Sequence, residues 1–144
     1  MKVSIMITSL NRSDELQRTL PKVEAMNPPP AEIWVVADGC TDDTVEYIQQ
    51  HHPQVELIEH EKSMGSVASR VEVMGQVSGD LVLALDDDSY PEQNDCLGKL
   101  SEWFEQNTKL AIATFPQRTD EYPVTLTQKN FGNTRHVRSY PNSG

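Results

Sequence analysis

The sequence is short of cations, cysteines and long apolar runs. Lys and Arg number 12 against 22 Asp and Glu, which gives a formal net charge of −10 and a pI near 4.7. A phosphate lattice repels such a net anion, so duplex nucleic acid and anionic membrane surfaces are excluded as general partners. An anionic substrate is compatible only through a local basic patch or a bound cation. Cys40 and Cys96 are too few and too widely spaced to signal a disulfide framework. They read as reduced thiols, with a single disulfide left open. The longest strongly apolar run, Leu81 to Leu85, is far too short to span a membrane. The apolar N-terminal stretch turns polar at Thr8, too early for a signal-peptide core. The chain therefore reads as soluble and cytoplasmic, with no membrane segment.

Several motifs are also missing. There is no Walker loop, no Gly-x-Gly-x-x-Gly and no Gly-x-Ser-x-Gly, which removes P-loop NTPase, dinucleotide-binding and nucleophile-elbow hydrolase readings. His51, His52, His60 and His136 lack zinc-site spacing. His51 and His52 end a predicted helix, where positive charge is mildly favourable. His60 lies between Glu59 and Glu61.

What is present is an ordinary globular composition, 37% hydrophobic and 24% charged over 144 residues, enough for one domain with its own core. Short apolar runs predict strands at Val3–Ile7, Ile33–Ala37, Val55–Ile58, Leu81–Leu85 and Leu110–Phe115. Helical periodicity predicts helices at Ser13–Met26, Thr41–Gln50, Ser66–Val77 and Asn94–Gln106. Asn11 or Ser13 is expected to cap the first helix and Thr41 the second. Pro21 predicts a kink or a restart within the first helix, and Asn27-Pro28-Pro29-Pro30 ends it. The alternation of strands and helices, with continuous apolar strands, predicts an α/β fold: a three-layer α/β/α arrangement on a mostly parallel sheet.

Residues 1–115 form the predicted domain, and residues 116–144 read as a polar tail, loop or partly disordered. Arg118, Lys129, Arg135 and Arg138 outweigh Asp120 and Glu121, so the tail carries +2 and the rest −12.

In a doubly wound sheet, ligands bind at the carboxyl ends of the strands. There the sequence places Thr8-Ser9-Leu10-Asn11, Asp38-Gly39-Cys40-Thr41 and Asp86-Asp87-Asp88. Three adjacent carboxylates are costly together, and a hard divalent cation relieves them. Side-chain alternation lets Asp86 and Asp88 share one side while Asp87 points away. A solvated acidic turn is the alternative. Asp38 reads either as an acceptor for a nucleobase N–H or as an Asx-turn residue before Gly39. Arg70 reads either as a phosphate ligand or as the ion-pair partner of Glu72 or Asp80. Thr41-Asp42-Asp43 reads as helix cap and first-turn acids.

Together, residues of about 2–115 resemble the family 2 nucleotide-sugar glycosyltransferases of the GT-A fold. The resemblance rests on Val3–Arg12 as the opening strand with its Thr-x-x-Asn-Arg turn, and on Ala37-Asp38-Gly39-Cys40-Thr41-Asp42-Asp43-Thr44. It also rests on Gly65–Arg70, and on Ser78-Gly79-Asp80 followed by Leu81–Leu85 and Asp86-Asp87-Asp88, similar to the DXD signature. Leu10 stands where the family often has Tyr, and Ala37 where it has the first of two aspartates. The resemblance implies a Rossmann-like nucleotide-binding half of a GT-A fold. It implies donor-nucleotide contacts from Thr8, Leu10, Asp38, Arg70, Asp86 and Asp87, and a metal site at Asp88 with Asp86. It implies Mn²⁺ or Mg²⁺ as cofactor and a UDP- or GDP-linked sugar as donor. Transfer goes to an unidentified acceptor hydroxyl with inversion, and the general base is expected beyond Gly144. Residues 116–144 would then begin the acceptor half. Two rival functions stand beside this one. A Mg²⁺-dependent phosphotransfer or phosphatase-like domain needs an acid directly after the first strand. A non-catalytic nucleotide-sugar-binding module would bind the donor without transferring from it.

Overall fold

The computed structural model describes residues 1–115, 127–131 and 134–138. Two compact units emerge, Met1–Thr108 and a second beginning at Lys109. The first contains, in chain order, β1 (Val3–Ser9), α1 (Ser13–Glu24), β2 (Glu32–Asp38), α2 (Thr44–His51), β3 (Glu56–His60), α3 (Ser66–Met74), β4 (Leu81–Asp86) and α4 (Cys96–Gln106). Its four strands pair in parallel in the order β3-β2-β1-β4.

Side-chain alternation divides the core between the two faces of this sheet. Val3, Ile5, Ile7, Ile33, Val35 and Leu83 pack with Leu16, Leu20 and Val23 of α1, Ile48 of α2, and Leu97 and Leu100 of α4. The intervening residues Met6 and Val36 pack with Val73 of α3 on the other face. The strands read as continuous apolar runs because both faces are covered. The cover is unequal: three helices bury the first face, while α3 buries only Ser69 and Val73 on the second.

The chain steps outward from β1 to β2 to β3, then returns to place β4 on the other side of β1. The carboxyl ends of β1 and β4 therefore flank the topological switch point, where open α/β sheets bind their ligands. Thr8 lies opposite Asp86 across that junction, and Asp38 lies opposite His60 at the β2–β3 end of the same rim.

Several local expectations change. Helix α1 does not restart at Pro21 but runs as one segment from Ser13 to Glu24. Proline lies near the helix end, and its carbonyl still accepts the Ala25 N–H. Neither Asn11 nor Ser13 caps α1: Arg12 is the N-cap and makes no side-chain cap bond. Thr41 does not cap α2, which begins at Thr44 with Asp42 Oδ1 accepting the Thr44 N–H at 3.2 Å. Helix α3 stops at Met74, short of Val77.

The second unit holds an antiparallel hairpin, β5 (Thr127–Phe131) with β6 (Thr134–Arg138). These strands stand where a polar loop is expected. Gly132-Asn133, the dipeptide between the strands in sequence, is a hairpin signal that outweighs the weak apolar pattern. The expected fifth strand at Leu110–Phe115 does not form. Ile112 is 79% exposed, so this apolar run lacks the two-sided cover that made the others strands. The loop expectation for 116–126, 132–133 and 139–144 lies outside the described residues, as do Asp120 and Glu121.

Candidate functional site

The rim is built from three strand ends and the loop that leads into α3. At the switch point, β1 runs into Leu10, Asn11 and Arg12, and β4 runs into Asp87 and Asp88. Asn11 takes φ 54°, a left-handed conformation that Asn tolerates. Its side-chain Oδ1 accepts the Thr41 and Asp42 N–H groups at 2.6 and 3.3 Å, which fastens the loop after β1 to the loop after β2. Asp42 returns the tie by accepting the Ser13 N–H through Oδ2 at 3.2 Å. Cys40 and Cys96 are both free thiols.

The aspartate triplet divides at the end of β4, with Asp86 closing the strand and Asp87 and Asp88 in the turn that follows. Asp87 is buried, accepts the Ser9 hydroxyl at 2.9 Å, and lies 3.4 Å from Arg12 Nε. Thr19 of α1 donates to its backbone carbonyl at 2.7 Å. Burial pushes the Asp87 carboxyl up; Ser9 and Arg12 pull it back, and Asp88 and Asp86 add to the rise. Asp86 and Asp88 lie on the open side, with side chains 56% and 44% exposed. Each meets one arginine: Arg70 Nη2 donates to Asp86 Oδ1 at 2.5 Å, and Arg12 Nη2 to Asp88 Oδ2 at 2.9 Å. Arg70 thus pairs with Asp86, not with Glu72 or Asp80.

Asp38, the expected base contact, ends β2 on the same rim. It is 4% exposed, and each carboxylate oxygen accepts two hydrogen bonds. His60 Nδ1 (2.7 Å) and the Met64 N–H (2.8 Å) reach Oδ1, while the Ser63 hydroxyl (2.7 Å) and the Gly65 N–H (2.8 Å) reach Oδ2. A carboxylate has about four acceptor positions, so this one is filled. Burial opposes ionisation, but the bonds from His60, Met64, Ser63 and Gly65 outweigh it and hold Asp38 well below the usual carboxylate range. Gly39 allows the arrangement. Its φ is +80°, and a Cβ there would come within 2.4 Å of the Ser63 backbone nitrogen.

Beyond Asp38, His60 also reaches Glu72 of α3, with Nε2 2.8 Å from Oε2. The hydrogen bond to Asp38 and then that to Glu72 raise the His60 pKa. Thr8 is partly exposed at the end of β1, and Leu10 is 46% exposed beside it. The rim therefore combines an apolar surface at Leu10, a hydroxyl at Thr8, two open carboxylates and two arginines.

The sequence reading missed Arg12, His60, Ser63 and Glu72. Arg12 lies three residues past the end of β1 and His60 ends β3, so the strand-end rule contained a signal for both.

This donor set suits a hard cation that completes its shell with water and substrate oxygens. Asp86 and Asp88 offer exposed carboxylates. Among the described residues, no three His, Cys, Asp or Glu side chains form a ready-made metal cage. The carboxylates would supply only part of a coordination shell.

The chain is similar to several known proteins. Poly-beta-1,6-N-acetyl-D-glucosamine synthase of Staphylococcus epidermidis is 28% identical over 114 residues, 78% of this chain and 27% of that protein. An uncharacterized glycosyltransferase of Bacillus subtilis, YwdF, is 32% identical over 92 residues, 62% of this chain and 34% of that protein. The chain thus spans about a third or less of the curated relatives it matches. TarS 1-349 of S. aureus superposes with a TM-score of 0.67 at 21% identity, covering 75% of this chain and 33% of that one. The mannosyltransferase PcManGT of Pyrobaculum calidifontis, solved with GDP-Man and Mn²⁺, does so with a TM-score of 0.67 at 20% identity, covering 74% and 33%. These likenesses establish the GT-A fold. No helix among the described residues is long and apolar enough to cross a membrane. The profile of glycosyl transferase family 2 matches residues 4–142, and the chain belongs to that family.

Proposed function

We propose that this chain binds the donor of a metal-assisted, inverting glycosyltransferase, a nucleoside diphosphate sugar linked to UDP or GDP. The observation that carries the reading is the rim at the switch point, where exposed Asp86 and Asp88 stand beside Thr8 and Leu10, each held by an arginine. Leu10 offers apolar surface to a base, and Thr8 offers a hydroxyl. Arg12 and Arg70 each pair with one of the two carboxylates, contacts that an entering cation would share or displace. Arg70 also brings a guanidinium fork to within reach of an incoming phosphate.

Asp88, with Asp86, would hold Mn²⁺ or Mg²⁺. When bound, that cation supplies Lewis-acid stabilisation of the departing nucleoside diphosphate. Asp38 belongs to the same proposal as a donor-nucleotide contact: a base N–H would replace one of its four present donors, which otherwise fix the Ser63–Gly65 loop. Inversion, with a carboxylate accepting the proton of the acceptor hydroxyl, belongs to the same proposal. None of the described residues is assigned that proton transfer. Solved relatives lend support: TarS has been crystallised with UDP and with UDP-GlcNAc.

Calorimetric titration with UDP and GDP, each with and without Mn²⁺, tests the reading. Binding of at least one nucleotide, tightened by Mn²⁺, is expected. Failure of both to bind under either condition would overturn it.

A further inference from the structure

His60 is a rim residue that the proposed donor site does not use directly. It lies between two carboxylates, Asp38 from β2 through Nδ1 and Glu72 from α3 through Nε2, at 2.7 and 2.8 Å. Ionised carboxylates only accept hydrogen bonds. Both contacts are therefore hydrogen bonds at the same time only when both ring nitrogens carry protons. The neutral ring must turn one lone pair toward a carboxylate.

Helix α3 has little apolar anchorage of its own, so these polar ties matter to its position. It buries only Ser69 and Val73 against the sheet, while Val67, Val71 and Met74 are exposed. Its N-terminal end is held by the Met64 and Gly65 N–H groups on Asp38, and its later turn by Glu72 on His60. Arg70, which grips Asp86, lies between those ties.

We propose that His60 is a positioning residue for the donor site: as an imidazolium it straps β2 to α3 and so holds Arg70 on Asp86. The inference rests on the donor-site reading above. Asp38 and Glu72 are the titratable groups that face the ring from the packed elements, with Glu59 before it on β3 and Glu61 just after the strand. Asp38 is held ionised far below the range in which His60 titrates. The His60 proton is retained above the ordinary value of 6.5. A group with a raised folded pKa contributes fully below its unfolded value and loses that contribution as pH rises through the folded value. The strap is thus closed below the ordinary value of 6.5 and opens as pH rises through the raised folded value.

The test combines nucleotide titration in Mg²⁺ with NMR, from about pH 6 to about pH 8.5. The wild type, His60→Gln and Glu72→Gln are compared using UDP and GDP. In the wild type, the Met64 and Gly65 amide signals should move with the same midpoint as the His60 ring nitrogens. Nucleotide affinity should fall about tenfold across it, the scale of one lost charge-assisted hydrogen bond. His60→Gln should abolish that fall, and Glu72→Gln should keep the fold and lower the midpoint. Nucleotide binding with the same pH response in the wild type and His60→Gln, or amides that ignore the ring titration, would overturn the positioning role alone. Absence of nucleotide binding at every pH would overturn the donor-site reading and this inference with it.

Discussion

Replacing Asp38 by Asn keeps the side-chain shape and removes one acceptor together with the charge. In the wild type, Oδ1 serves His60 and the Met64 N–H, and Oδ2 serves Ser63 and the Gly65 N–H. In the variant, one of those positions becomes an NH₂ group. Ser63 can turn its hydroxyl to accept, and His60 can present a bare nitrogen, but a backbone N–H cannot reverse. Either orientation of the amide therefore strands one backbone donor, at Met64 or at Gly65. A stranded buried donor costs about 1–3 kcal/mol, and lost charge assistance on the remaining bonds adds about 1 kcal/mol. The expected destabilisation is about 3 kcal/mol, a large part of the roughly 5–15 kcal/mol that holds a domain. Urea denaturation should show it as a midpoint lowered by about 1.5 M, given slopes of about 1–3 kcal/mol per M. The pH profile carries the sign. A depressed carboxyl stabilises fully above its unfolded pKa and loses that stabilisation as pH falls toward its folded value. The gap between wild type and variant should thus be widest near neutrality and close in acid. A loss smaller than about 1 kcal/mol at neutral pH, or a gap that widens in acid, would refute the four-bond account of Asp38.

Other substitutions probe neighbouring parts of the rim. Gly39→Ala forces a side chain into a φ of +80° and a 2.4 Å approach to Ser63 N; thermal or urea unfolding should show a loss of at least about 2 kcal/mol. Asp87→Asn should be far milder than Asp38→Asn, because burial already disfavours the Asp87 charge. Its stability at neutral pH should stay within about 1 kcal/mol of wild type, and a loss above about 2 kcal/mol in the same assay would contradict this. Asp88→Asn should preserve the fold by circular dichroism and remove the Mn²⁺-dependent part of UDP or GDP affinity in calorimetry. Full metal-dependent binding by that variant would move the ligand elsewhere.

The layered fold was legible because period and burial coincide in this chain. Leu16, Leu20 and Val23 repeat at helical spacing, and Ile5, Ile7, Val35 and Val36 form runs that only a two-sided core can use. The rim was legible in outline, since strand ends position Thr8, Asp38 and Asp86 whatever their partners. The partners were not. Asp38 draws its donors from residues 22 to 27 positions downstream, and local spacing cannot count such bonds. Asn11 has the composition of a helix cap, but its side chain crosses to Thr41, a tie that exists only once β1 and β2 lie side by side. Leu110–Phe115 shows the converse error: an apolar run predicts a strand only where a ladder and a second layer receive it. At Gly132-Asn133 the local signal was present, and the net polarity of the segment hid it.

The central claim is that a nucleoside diphosphate and its cation meet at the carboxyl ends of β1 and β4. Paramagnetic broadening of the amide spectrum by Mn²⁺, in the presence of UDP or GDP, tests that claim most directly. The account predicts broadening centred on Thr8–Leu10 and Asp86–Ser89, with α2 near His52 unaffected. Broadening centred at the opposite end of the sheet, around Glu32 and Asp80, or none at any residue, would contradict it.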